Sequence, residues 1–322
     1  MKKMLSFGVL ALFLSACNDG DIVYKEMNFE SNAIQKCATK DLYYKTNAKD
    51  MMILKAEPNL LHEKNFKLGE TKVVEIGSAL ELLYRTYDEN ADSKSICETL
   101  PPAKPVIVSE MTANAGGTVL ITRDVRTQEK EELESPTVLS YFYRFLFENI
   151  SFKDGDQTIN QNNFSFGEYK YKDIALTFKF IGKVKNCNLI DATRLVVNND
   201  TEALLLNIGN GVIENVAATK TVSLNDTNNL IYKVFDAKGG AINAEKACTD
   251  ETEFGDTIEI ENWKSTSGTL VIVTTEVTQG ENAPSGKVEF LHKLSLENVT
   301  FTKEGRSFTR ALVPYGEITT SL

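Results

Sequence analysis

Histidine is almost missing from this 322-residue chain, which has two, and tryptophan occurs once. Two isolated histidines, His62 and His292, give little material for a histidine metal centre or a Ser-His-Asp relay. Neither accompanies a cysteine, and no Cys-x-x-Cys occurs, so zinc and other metals are not expected. A Gly-x-Ser-x-Gly elbow, a phosphate-cradling glycine loop and a His-Glu-x-x-His helix are also missing. Basic residues are outnumbered, 35 Lys and Arg against 45 Asp and Glu, for a net charge of −10. Without a basic run to neutralise phosphates, nucleic acid is not an expected partner. After Leu14 no apolar run approaches the ~20 residues that a spanning helix needs.

What is present begins at the amino terminus. Lys2 and Lys3 precede an apolar run, Met4 to Leu14, which is too short to span a bilayer and reads as a secretory signal. Leu14-Ser15-Ala16-Cys17 resembles the lipobox of bacterial lipoproteins, in which the peptide is cleaved before the cysteine and the cysteine is acylated. That resemblance implies a signal peptide over 1–16, a lipidated Cys17, a tether over 17–21 and attachment to the outer membrane. Each buried methylene contributes roughly 0.8 kcal/mol, so several acyl chains anchor firmly. Asn18-Asp19-Gly20-Asp21 resembles the acidic surface-export signals of Bacteroidetes lipoproteins, and a solvated tether reads the same way. The leaflet therefore stays open.

The remaining chain is written twice. Leu82 to Asp88 (LLYRTYD) matches Leu230 to Asp236 (LIYKVFD), and Gly117 to Ile121 (GTVLI) matches Gly268 to Ile272 (GTLVI). Glu148-Asn149-Ile150-Ser151-Phe152 matches Glu297-Asn298-Val299-Thr300-Phe301, and Gly167-Glu168 matches Gly316-Glu317. Several blocks in one order, at offsets of 148 to 152, define two copies of a domain of roughly 150 residues, 22–170 and 171–322.

The blocks are rich in Val, Ile, Thr, Tyr and Phe and are separated by Gly, Asn, Asp and Pro, which predicts strands. In the first copy these fall at 22–29, 41–47, 51–56, 71–76, 81–87, 104–111, 117–126, 139–152 and 163–169. Helical periodicity is limited to a turn or two at 59–66. Many short strands without alternating helices predict an all-β chain of two tandem antiparallel β-sandwiches, immunoglobulin-like or jelly-roll-like. Period-two alternation puts Tyr141, Tyr143, Phe145 and Phe147 in the core, with Phe290, His292, Leu294 and Leu296 as counterparts. Arg144, Glu148, Lys293 and Glu297 then face outward, the glutamates beside basic neighbours. Residues on both faces of the Tyr84 strand are apolar, as in a central strand.

Five cysteines is an odd count for an exported chain. With Cys17 assigned to lipid, Cys37 and Cys97 are 60 apart and Cys187 and Cys248 are 61 apart. Matching spacing in an oxidising compartment predicts the pairs Cys37 to Cys97 and Cys187 to Cys248. Acidic clusters at 129–134 and 154–156 lack the spacing of a calcium loop. Burial in the core or at an edge is the plainer reading of Trp263, and if either copy stacks a ligand, Trp263 with Lys264 is the first place to look. Thr112 aligns with it in the first copy.

Tyr84-Arg85-Thr86-Tyr87 followed by Cys97 and Pro101-Pro102, and Ser265 to Thr274 (STSGTLVIVT) after Cys248, resemble the core motifs of secreted lipoproteins of Flavobacteria. The resemblance implies an envelope address and the domain unit, and it supplies no catalytic residue and no cofactor. The second copy departs from it, with Thr252-Glu253-Phe254 where the first has the proline pair. The expected function is a non-enzymatic binding or structural module toward glycan or outer-membrane proteins. The alternatives are a surface polysaccharide hydrolase and a carrier of lipid or lipoprotein.

Overall fold

The computed structural model describes residues 27, 29, 31–77, 79–128, 135–155, 157–180, 183–187, 193–277 and 288–321. The signal segment 1–16, Cys17, the tether to residue 21 and the acidic run 129–134 lie outside them. The chain is all-β, in two separate antiparallel sheets.

The first sheet is built from β1 (Gln35–Lys36), β2 (Leu42–Asn47), β3 (Asp50–Ala56), β4 (Thr71–Glu75), β5 (Leu80–Tyr87), β6 (Ile107–Ala113), β7 (Thr118–Gln128), β8 (Thr137–Asp154) and β9 (Gln157–Leu176). Their order is β1-β2-β3-β5-β6-β8-β7-β4, with β9 on β8. The second is built from β10 (Lys185–Asn186), β11 (Thr193–Asn198), β12 (Glu202–Ile208), β13 (Thr219–Ser223), β14 (Asn229–Asp236), β15 (Glu253–Phe254), β16 (Thr257–Ser265), β17 (Thr269–Val277), β18 (Glu289–Lys303) and β19 (Arg306–Ser321). Its order is β10-β11-β12-β14-β16-β18-β17-β13, with β15 on β16 and β19 on β18. Leaving β15 aside, the second sheet repeats the first strand for strand. Of the strands expected in the first copy, the one at 22–29 falls mostly outside the described residues, and Met27 and Phe29 are irregular. The turn expected at 59–66 is a single 3-10 turn, Glu63–Asn65.

Each sheet folds into two layers because its long strand changes partner. Along β18, residues 289–297 pair with β17, whereas ladder pairing with β16 is at Lys264 opposite Thr302. Along β8, ladder pairing with β6 is at Lys153 and Phe152, next to which Asn114 N donates to Ser151 O at 2.8 Å. Between the two halves of each strand stands an asparagine with positive φ, Asn149 at 55° and Asn298 at 52°. The extra residue inverts the alternation: the buried residues run Phe290, His292, Leu294, Leu296, then Val299, Phe301. In β8 the inward residues run Tyr141, Tyr143, Phe145, Phe147, then Ile150, Phe152, and Phe142, of the other parity, is buried beneath Arg126. One inserted residue thus keeps the apolar face inward as the strand passes from one layer to the other. Glycine lies against this corner: a Cβ on Gly268 would meet Glu297 O at 2.9 Å and Val299 Cα at 3.0 Å, and one on Gly117 would meet Asn149 O at 3.1 Å. The recurring Gly-Thr and Glu-Asn blocks are therefore the two sides of one repeated corner. Glu297 stands opposite Thr269 and Leu312 there, not beside a basic residue.

By contacts the chain divides into two compact units that do not coincide with the sheets: residues up to 60, 73–120 and 145–167, and residues 61–72, 121–144 and 168–322. In the first unit Tyr43, Phe145, Phe147 and Phe166 pack ring to ring. In the second, Trp263 meets Phe308 edge-on at 5.0 Å, Phe178 stacks on Tyr232 at 4.4 Å and Phe301 stacks on Phe308 at 5.2 Å. Aromatic pairs of this kind contribute about 0.5–1.5 kcal/mol each beyond burial. The Tyr84 strand, β5, is central, between β3 and β6.

Candidate functional site

The four cysteines pair as the spacing indicated. Cys37 bonds Cys97 with Cα atoms 5.3 Å apart, and Cys187 bonds Cys248 at 5.6 Å. Each bond ties a short helix, α1 (Lys94–Cys97) or α2 (Ala244–Cys248), to the segment following β1 or β10. Asn243 caps α2 by accepting a hydrogen bond from Lys246 N.

Beside the second disulfide lies an open hollow of about 780 Å³, edged by Lys185, Asn186, Arg194, Asn243, Glu245 and Asp250. Arg194 is held in place: its Nε donates to Asn207 Oδ1 at 2.7 Å and its Nη1 to Cys248 O at 3.1 Å. Asp250 stands 3.7 Å away and is 92% exposed. Two cations, Lys185 and Arg194, and two carboxylates, Glu245 and Asp250, share one open rim, which suits hydrogen bonding to a polyhydroxylated or zwitterionic group. The register that places Tyr43 opposite Lys36 and Leu195 opposite Asn186 makes Leu42 the counterpart of Arg194. On the first copy's side, Lys40 donates to Ile96 O and Glu98 O, tying α1 down. The first copy carries Lys36 paired with Asp41 beside its disulfide, and the arginine of the rim is a property of the second copy.

Trp263 takes the buried alternative and not the stacking one. It is wholly buried, and its indole Nε1 donates to Glu261 Oε2 at 3.0 Å, so it offers no face for a stacked ligand. Lys264 is exposed beside it in sequence and sits on the opposite side of the strand. The register also gives Trp263 a different counterpart. Trp263 lies opposite Tyr232 as Met111 lies opposite Tyr84, so a buried methionine, not Thr112, occupies its place in the first copy.

Glu261, which sequence reasoning passed over, is the chemical centre of the second unit. It is 2% exposed, and its Oε2 accepts from Tyr141 Oη at 2.7 Å and from Lys303 Nζ at 2.7 Å as well as from Trp263. Burial, and then the Glu261 charge, push the Tyr141 phenol far above its ordinary pKa, so it stays a donor. Arg123 sits 5.5 Å from the Tyr141 ring centre and donates to Tyr171 Oη at 2.8 Å and Phe66 O at 3.0 Å. The available signal was a carboxylate two residues before Trp263, on the same inward parity of β16. A second interior pair, Lys233 with Glu259 at 3.1 Å, is 4% and 7% exposed, and Lys233 Nζ also donates to Thr249 O. Lys233 and Glu259 are ion-paired away from solvent, although Glu259 Oε2 makes no hydrogen bond there.

His62 is exposed and caps the 3-10 turn through Nδ1. His292 is wholly buried between Thr274 and Thr320, at 2.8 and 2.7 Å. Among the described residues no group of three or more His, Cys, Asp or Glu is placed to hold a metal ion, and no helix is long and apolar enough to cross a membrane. Comparison with protein-family models, curated proteins and solved structures gave no match.

Proposed function

We propose that the chain is an outer-membrane lipoprotein, anchored through Cys17, whose tandem sandwiches serve as a non-enzymatic binding or structural module for glycan or another outer-membrane component. The observation that carries this reading is a contrast in the second copy. Its interior carboxylates and lysines are engaged with one another, Glu261 by hydrogen bonds from Tyr141 and Lys303 and Glu259 by its ion pair with Lys233, whereas the charged rim beside Cys187 and Cys248 faces outward and open. A site of that kind holds a polar ligand without supplying a buried acid, base or nucleophile to it.

The test is a glycan-array and calorimetric screen of the mature lipidated protein, alongside Lys185→Ala and Glu245→Ala. Both residues are exposed, so the fold tolerates their truncation. Binding that weakens about tenfold in either variant supports the reading. Release of reducing sugar that a single carboxylate substitution abolishes would establish a hydrolase instead.

A further inference from the structure

We propose that the hollow beside the second disulfide continues as a row of polar side chains across the sheet, and that this row holds an acidic polysaccharide whose chain runs perpendicular to the strands. The inference rests on the glycan-binding reading above and names its substrate class. Arg194 on β11 stands directly opposite Asn207 on β12, and Asn207 directly opposite Asn229 on β14. Directly opposed residues project to the same face, so the three side chains line up away from the hollow. They are joined end to end: Arg194 Nε donates to Asn207 Oδ1, Asn207 Nδ2 to Asn229 Oδ1 and Asn229 Nδ2 to Asp226 O, each at 2.7 Å. All three are half-buried, so the bonds fix them while part of each stays in contact with solvent. The first copy breaks the row. Leu42, Lys55 and Glu81 stand at the corresponding places, and Lys55 pairs with Glu81 at 3.0 Å.

What the row leaves unused selects the ligand. A primary amide has two N–H donors and two lone pairs on its oxygen, so Asn207 and Asn229 each retain one donor and one acceptor. That is the complement of a hydroxyl, which both donates and accepts. Arg194 Nη2 has no hydrogen-bond partner among the described residues, and a guanidinium only donates, which calls for an acceptor of opposite charge. Lys185, on the same face of β10, brings a second cation to the hollow. Asp250 is 3.7 Å from Arg194 and 92% exposed, so a ligand carboxylate displaces it at little cost. Neighbouring strands lie ~4.8 Å apart, close to the length of one sugar ring with its bridging oxygen, so successive rings meet successive strands. A polyuronate supplies this pattern, a carboxylate for Arg194 and hydroxyls for the two amides.

Calorimetric titration of the full mature chain in detergent with oligogalacturonates of increasing length tests this, with neutral gluco-oligosaccharides of the same lengths for comparison. Affinity for the acidic series is expected to rise up to the third ring and then level, and to exceed that for the neutral series about tenfold. Asn229→Ala is expected to remove the gain from the third ring and leave the affinity of the disaccharide unchanged, which a general loss of folding would not do. Lys55→Ala, in the broken row of the first copy, is expected to leave both series unchanged. Neutral chains that bind as tightly as acidic ones, affinity that does not depend on length, wild-type length dependence in Asn229→Ala, or weakened binding in Lys55→Ala overturns the inference. The glycan-binding reading itself stands where neutral chains bind and lose affinity in Lys185→Ala, and falls with the inference where no glycan binds.

Discussion

Replacing Glu261 with alanine removes the acceptor shared by Tyr141, Trp263 and Lys303. Lys303 is 19% exposed in its side chain and Glu261 2%, so solvent relieves little of the loss. Breaking a buried ion pair from one side costs about 3–5 kcal/mol, and stranded donors of ~1–3 kcal/mol each overlap with that figure. An expected loss of about 4 kcal/mol follows. Glu261→Gln keeps the shape and one acceptor oxygen and costs about half as much. Removing both charges, as Glu261→Met with Lys303→Met, recovers most of the loss, because the pair's own desolvation then disappears. The sole tryptophan supplies the assay. Trp263 is buried in this cluster, so its fluorescence follows unfolding of the second unit in urea. A Glu261→Ala variant within 1 kcal/mol of wild type, or a double variant worse than the single one, would refute the reasoning.

The repeated corner predicts that Gly268→Ala costs about 1–3 kcal/mol, since its φ of 128° and the backbone atoms at 2.9 and 3.0 Å leave no place for a Cβ. Gly305→Ala, with open space around it, is limited to the left-handed backbone penalty, and the same urea titration compares the two. Burial holds the His292 pKa below 6.5, so the unfolded chain takes up that proton first. The stabilisation is therefore present above pH 6.5 and lost as pH falls below it, and His292→Gln is expected to flatten that part of a pH series of unfolding temperatures. Reduction of the disulfides releases loops of about 60 residues and is expected to remove roughly 4 kcal/mol per bond in the chain-entropy model, read by calorimetry with and without reductant.

Much of this architecture was legible because it is periodic. Alternation along Tyr141 to Phe147 identified the inward face, and equal cysteine spacing identified the disulfides. Alternation fails at Asn149 and Asn298, where one left-handed residue inverts the parity, so the corner itself was visible only as repeated letters. Alignment by letters also placed Trp263 against Thr112, whereas strand register pairs it with Met111, because burial asks for an apolar side chain at a position and does not fix which one. Glu261 was missed for a related reason. Its donors come from β8, β16 and β18, distant segments whose meeting no local pattern encodes. The departure at Thr252-Glu253-Phe254 was visible, and its meaning appeared only when β15 was found on β16.

The measurement that bears most directly on the account is the mass of the amino-terminal peptide of the chain recovered from the membrane fraction of a Gram-negative host. The account predicts a peptide that begins at Cys17 and carries the added mass of acyl chains, together with loss of membrane association in Cys17→Ser. A mature chain that begins elsewhere, or that begins at an unmodified Cys17, would contradict it.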